Sequence, residues 1–331
     1  MRAAVMADGK FSIGEVRDPT PGPADLVLRV IACGLCGSDI KAAPMAPDGA
    51  ILGHEFVGEV VAAGTEAASD WEVGRAAVSM PLAGCGTCLS CVTGDVARCG
   101  RAEFLGLGAR DGGFAEYIRV SARESVPFDG GAPLSDGALV EPLAVGLHAV
   151  TRAGLSAGNR ALVLGGGPVG MAVVIWLRRL GVTEIVVSDP AAGRRATALS
   201  LGATAVIDPE TTTMADGFDV VFECVGVPGL IDSALAAVAP RGRIVVAGVC
   251  MTHESFMPLV GVVKDVDMSF VSYYTRQEFR QVAELLRAGN IDLSAFVTGE
   301  TSLDAIEGAL DGVRTPSALA KIVVHPARVI P

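Results

Sequence analysis

The six residues Gly165-Gly166-Gly167-Pro168-Val169-Gly170 stand between the apolar run Ala161-Leu162-Val163-Leu164 and an apolar helical face. A buried strand that turns on glycines straight into a helix has few homes outside a parallel α/β sheet. In the spacing Gly-x-Gly-x-x-Gly, Gly165 permits the tight bend. Gly167 lets a pyrophosphate approach backbone N–H groups at the helix N-terminus, and Gly170 allows close helix-to-strand packing. A second run, Glu184 to Ser188, ends at Asp189, the acidic position that meets dinucleotide ribose hydroxyls. Apolar runs at 205–208, 219–222, 243–247 and 268–271 continue the strand-and-helix rhythm. The expected cofactor-binding set is therefore Gly165, Gly167, Pro168, Val169, Gly170, Asp189 and Arg194. Asp189 repels a 2′-phosphate, which points to NAD over NADP. Arg194 and Arg195, just past the strand, leave open a 2′-phosphate contact or a solvated role.

The residues before about 140 have a different texture. Runs such as Leu26 to Ala32 and Phe56 to Val61 are short and apolar, Gly58 suits a bend or bulge, and Pro19, Pro21, Gly22 and Pro23 punctuate the first connection. No helical periodicity of useful length appears before about Leu139. A chain of 331 residues, 50% of them hydrophobic and 19% charged, has material for two domains with sizeable cores. The texture divides it into a β-rich region at 1–141, a dinucleotide-binding region at 142–273, and a tail at 274–331. The tail carries a helix at 277–287 and short runs at 296–298 and 321–324, and it is short enough to rejoin the first region.

Two groups of residues in the β-rich part offer metal ligands. Cys85, Cys88, Cys91 and Cys99, spaced Cys-x2-Cys-x2-Cys-x7-Cys in a lobe at about 84–100, can enclose one tetrahedral Zn²⁺ and leave no position for substrate. Such a metal is structural. Disulfides compete with this reading, but the tight spacing favours metal, and the first ten residues lack the unbroken apolar segment of a secretory signal. A cytoplasmic protein is expected. The second group is Cys36-Gly37-Ser38-Asp39, Gly53-His54-Glu55 and Glu141-Pro142. One thiolate, one imidazole and one or two carboxylates suit a zinc ion with an open position. Glu141 also reads as a carboxylate at a favourable helix start. Cys33, Cys224 and Cys250 fall outside both groups and read as buried small apolar residues.

The balance of 26 basic to 37 acidic residues, net charge −11, opposes general nucleic-acid binding. The most apolar stretch, 161–177, is interrupted by Gly165, Gly166, Gly167, Pro168 and Gly170. A strand, turn and helix explain it, and a membrane span does not.

These landmarks, with Glu141 to His148 and Ser188-Asp189-Pro190, occur in the order found in the zinc-dependent medium-chain alcohol dehydrogenases, and the whole chain resembles that family. The likeness is closest to the sorbitol, butanediol and threonine dehydrogenase branch. It implies an α/β architecture: a Rossmann doubly wound parallel sheet plus a β-rich GroES-like catalytic domain built from both chain ends. It also implies two zinc ions per chain, one catalytic and one structural, and hydride transfer between an alcohol or ketone substrate and NAD. Carried over by position, Cys36 and His54 are direct ligands of the catalytic zinc, with Glu141 or Glu55 and a water completing the shell. Asp39 orients His54, and Ser38 is the first proton carrier. Where the family often has a relay histidine this chain has Lys41, and the loop between Asp39 and Gly53 is short. A homodimer or homotetramer through an edge strand near 268–271 is the family habit. A zinc-free quinone or enoyl reductase and a non-catalytic NAD-binding zinc protein are the alternative readings.

Overall fold

Eleven residues, Asp25–Leu35, form the long strand around which the first sheet is built, with Leu26, Leu28, Val30 and Ala32 fully buried. The structure, a computed structural model, describes residues 1–107, 110–314 and 321–327. Among these, Asp25–Leu35 pairs antiparallel with Glu55–Ala63, Tyr117–Ser121 and Ile322–His325. Ala76–Ser79 and Ser125–Pro127 extend the sheet beyond Glu55–Ala63, and Gly299–Ser302 adds a parallel strand beyond Ile322–His325. The ladder shifts register opposite Gly58, where a side chain would meet the Arg29 carbonyl at 2.6 Å. A glycine-marked bulge is the usual way such a sheet bends.

The second sheet is parallel, in the order 205–207, 184–188, 160–164, 218–223, 238–246, 267–270. Its apolar strands are covered by helices, and Leu162, Val221, Leu235 and Ile244 lie in one buried cluster. The order reverses between Arg160–Leu164 and Phe218–Glu223, which opens a crevice at the carboxyl ends of those two strands. The helix Pro168–Leu180 starts with proline in its first turn and ends on Gly181 at φ +83°, the common start and stop signals.

Two compact units result. One takes Met1–Glu141 and the described residues from Tyr274 onward, and the other takes Pro142–Tyr273. In the tail the helix begins at Arg276, one residue before its expected start. Thr275 and Glu278 form a capping box there, a signal legible as Thr-x-x-Glu. The run at 296–298 is not a strand. Phe296 N–H donates to the Leu293 carbonyl in a turn, Thr298 N–H donates to the Lys321 carbonyl at 2.8 Å, and the strand itself runs from Gly299. Among the described residues no helix is long and apolar enough to cross a membrane.

Candidate active site

Cys36, His54 and Glu55 come from the two ends of one loop joining neighbouring strands. Cys36 follows directly on Asp25–Leu35 and caps the short helix Gly37–Ala42, its N–H donating to Asp39 Oδ2 at 2.9 Å. His54 precedes the partner strand. Gly53 before it has φ +93°, and a side chain there would strike the Phe114 ring at 2.8 Å, so only glycine makes this approach. Ligand atoms of Cys36, His54 and Glu55 lie within 4.8 Å of one another.

The surroundings orient these groups. His54 Nδ1 lies 3.3 Å from Asp39 Oδ1, and Nε2 lies 3.2 Å from Ser38 Oγ. A carboxylate on one ring nitrogen leaves the other for a metal. Burial opposes a charge on His54, but the buried Asp39 carboxylate overrides it and raises the imidazole well above its ordinary range. Glu55 is fully buried; Oε2 accepts from Lys321 Nζ, while Oε1 has no hydrogen-bond partner among the described residues. Glu141, in the first turn of Val140–Ala153, is 7% exposed and stands outside the 4.8 Å set. Burial pushes its carboxyl up to about 7, against the pull of the His54 and Lys321 charges. An orphaned carboxylate oxygen beside a thiol and an imidazole is a donor set that fits Zn²⁺ with a position to spare.

The four sulfurs of Cys85, Cys88, Cys91 and Cys99 also lie within 4.8 Å of one another. All eight cysteines are free, and the Cys85 and Cys91 sulfurs are 3.9 Å apart, well beyond a disulfide's roughly 2.05 Å. Backbone N–H groups point at the sulfurs: Cys88 donates to Cys85 Sγ at 3.4 Å and Arg101 to Cys99 Sγ at 3.4 Å. Donors from Thr87 and Cys88 bring the Cys85 thiol down to about 5, the thiolate form that zinc takes. Of the three remaining cysteines only Cys33 is buried. Cys224 and Cys250 are partly exposed, Cys250 donating to the Thr252 carbonyl at 3.4 Å, so the expectation of buried apolar packing fails for both.

In the second unit Gly165 has φ +99°, and Gly170 lies against the Gly165 carbonyl, so both glycines are sterically required. Beside Gly167 a side chain would meet nothing within 4 Å, which leaves room over the helix N-terminus. Asp189 is 3% exposed. Its Oδ2 accepts from Gly166 N–H and its Oδ1 from Ala191 N–H, each at 2.8 Å. Arg194 Nη1 is 3.9 Å from Asp189 Oδ2, and its buried Nε has no hydrogen-bond partner among the described residues. Arg195 donates to the Asp189 carbonyl and pairs with Asp208 at 3.1 Å.

Residues 168–288 match the zinc-binding dehydrogenase family and residues 22–130 the alcohol dehydrogenase GroES-like domain. The scyllo-inosose 3-dehydrogenase of Thermotoga maritima is 30% identical over 94% of this chain and 89% of its own. The chain belongs to the zinc-containing medium-chain alcohol dehydrogenases. Among solved structures, 2R,3R-butanediol dehydrogenase from Bacillus subtilis superposes with TM-score 0.87 at 28% identity, covering 98% of this chain and 99% of that one. A chain from Sinorhizobium meliloti 1021, assigned to the zinc-binding dehydrogenases and bound to NADP, gives 0.88 at 31%, covering 98% and 99%. The chain is thus an oxidoreductase of the class acting on CH–OH. It has the Cys/His/Glu and four-cysteine zinc sites of these dehydrogenases, a GroES-like unit and a Rossmann unit.

Sequence reasoning missed two features of this dehydrogenase. Lys321 is 1% exposed and also donates to the Leu35 carbonyl at 3.1 Å; in the sequence it is only the first residue of the short run 321–324. Arg276 binds the buried Glu124 through two hydrogen bonds of 2.7 Å and donates to the Cys91 carbonyl at 3.2 Å, tying the tail helix to the cysteine lobe. Neither has a local sequence signal.

Proposed function

We propose that this dehydrogenase interconverts a secondary alcohol, polyol or cyclic alcohol and the corresponding ketone, with NAD as hydride acceptor. The observation that carries the reading is the Cys36, His54 and Glu55 set, three donors with a serine hydroxyl against His54, in a chain that also carries a closed four-cysteine set. Names such as butanediol and scyllo-inosose dehydrogenase among its relatives support that substrate class. Cys36, His54 and Glu55 or Glu141 would hold the zinc, which would supply Lewis acidity toward the substrate oxygen. Asp39 holds His54 in the tautomer with a free ring nitrogen. Ser38 both donates and accepts, so it can take the alcohol proton and pass it outward. The catalytic domain is 1–141 with 274–331, and 142–273 is the nucleotide domain.

NAD is favoured because the Asp189 carboxylate, held by two backbone N–H groups, presents negative charge where NADP carries its 2′-phosphate. Since the Sinorhizobium relative binds NADP, the choice needs a direct comparison. The edge strand Asp267–Phe270 suits a second copy. Its backbone is open on one side, Phe270 is 67% exposed, and Leu259, Val262 and Val263 of the nearby helix Pro258–Lys264 are exposed too. A cytoplasmic homodimer or homotetramer is the corresponding proposal, checked by light scattering. The functional test combines zinc analysis with NAD- and NADP-linked assays on diols, sugar alcohols, cyclic alcohols and threonine. Turnover unaffected by Cys36→Ser counts decisively against the reading.

A further inference from the structure

Glu223 ends the strand Phe218–Glu223 on the other side of the sheet's reversal point from Asp189, and it is 2% exposed. Its Oε1 accepts from the N–H groups of Val225 and Gly226, each at 2.7 Å. Its main-chain carbonyl accepts from Ala247 at 2.8 Å and Gly248 at 2.9 Å, the residues that follow the neighbouring strand. A side chain at Gly248 would overlap the Glu223 carboxylate and the Gly226 nitrogen, and one at Gly226, where φ is +72°, would overlap the Val249 backbone. The loops 224–226 and 247–249 therefore close on each other around one carboxylate.

The locked loops lead back to the glycine turn. Cys224 N–H donates to the Leu164 carbonyl at 2.9 Å, and the Val225 side chain occupies the space that a side chain at Gly165 would need. Val225 is 38% and Val249 53% exposed, so both offer apolar surface at the carboxyl ends of their strands. A dinucleotide lies across the reversal point, one half on each side. Asp189 serves the adenosine ribose on its side, so the other half must cross the Val225 and Val249 loops.

We infer that Glu223 is a positioning residue for the nicotinamide half of the cofactor: by gathering the N–H groups of Val225 and Gly226 it sets the walls that half meets. The inference rests on the cofactor reading above. Two ligands isolate the ring of that half, NAD and ADP-ribose, which keeps the adenosine, the pyrophosphate and the second ribose but lacks nicotinamide. In the full-length zinc-loaded protein, Glu223→Ala is expected to weaken NAD binding about 10-fold. ADP-ribose binding should move by less than about two-fold, since it has no nicotinamide ring to meet those walls. Glu223→Gln keeps an acceptor oxygen and is expected to restore most of the NAD affinity, with zinc content unchanged throughout.

Calorimetry reads the affinities, and hydrogen exchange on the unaltered protein gives a measurement that no folding defect can obscure. NAD is expected to slow exchange at 224–226 and 247–249, and ADP-ribose is not. Equal losses for both ligands, unchanged NAD binding in Glu223→Ala, or equal protection of the loops by both ligands would overturn the inference while leaving the cofactor reading intact. An unaltered protein that binds neither ligand sinks both.

Discussion

Lys321 and Glu55 form an ion pair in which both side chains are fully shielded from water, with Gly34 beneath them. A side chain at Gly34 would overlap Glu55 Oε2 and approach Lys321 Nζ at 2.9 Å, so the strand carries glycine where the pair needs its volume. The pair occupies Oε2 of Glu55, a residue grouped with Cys36 and His54, and leaves Oε1 without a hydrogen-bond partner among the described residues. Breaking such a pair from one side strands a buried charge.

Lys321→Met is therefore expected to cost about 3–5 kcal/mol of stability, whereas the double change with Glu55→Gln should cost much less, because no uncompensated charge remains. Denaturant unfolding of both variants, with zinc measured alongside, checks this. A single variant as stable as the parent would show that the pair is not compensating a buried charge.

What was legible in the sequence divides by distance along the chain. The cysteine lobe and the glycine turn are local, with ligands or glycines a few residues apart, and spacing alone specifies their geometry. Cys36, His54 and Glu55 were legible from donor chemistry and resemblance, because one short loop carries them. Lys321 is 266 residues from Glu55, and only the pairing of Ile322 with Leu35 brings them together. That register depends on how distant strands pack, which no window of sequence contains. Glu141 was legible as a candidate but not in rank, since its distance from the set depends on how its helix starts.

In metal-free protein Glu141 is raised to about 7, and His54 is held well above its ordinary range. Both folded-state values lie above the unfolded ones. The stability they contribute is thus fully present below the unfolded values and is lost as pH rises through the folded ones. Zinc competes with these protons, so its apparent affinity for the Cys36 site should rise by about 10-fold or more between roughly pH 6 and 8. Chelator competition across that range checks it, and a flat profile would exclude Glu141 and His54 as proton-releasing groups.

Arg276 makes the cysteine lobe dependent on the tail. Its hydrogen bonds to Glu124 raise the guanidinium further, and Glu124 is 3% exposed. Arg276→Ala should cost about 3–5 kcal/mol through the stranded carboxylate. It should also speed zinc loss from the lobe, because the Cys91 carbonyl loses its donor. Cys91→Ser should lower bound zinc from two ions per chain to one. Plasma emission spectrometry before and after dialysis distinguishes these outcomes, and undiminished zinc in Cys91→Ser would contradict the four-thiolate site.

Ser38 is the test of the proton path. Its Oγ, 3.2 Å from His54 Nε2, permits two roles, a relay for the substrate proton or a structural contact that steadies the imidazole. Ser38→Ala is expected to lower kcat about 10²–10⁴-fold near neutral pH, the usual worth of a positioned proton carrier, with zinc content and NAD affinity preserved. Ser38→Thr keeps the hydroxyl and should recover a large part of the rate. The relay also predicts that the deficit shrinks as pH rises, because hydroxide in solvent can take over proton removal once the serine is gone. A structural role predicts a deficit independent of pH and accompanied by weaker zinc binding. Pre-steady-state rates across a pH series, with metal analysis on the same samples, separate the two.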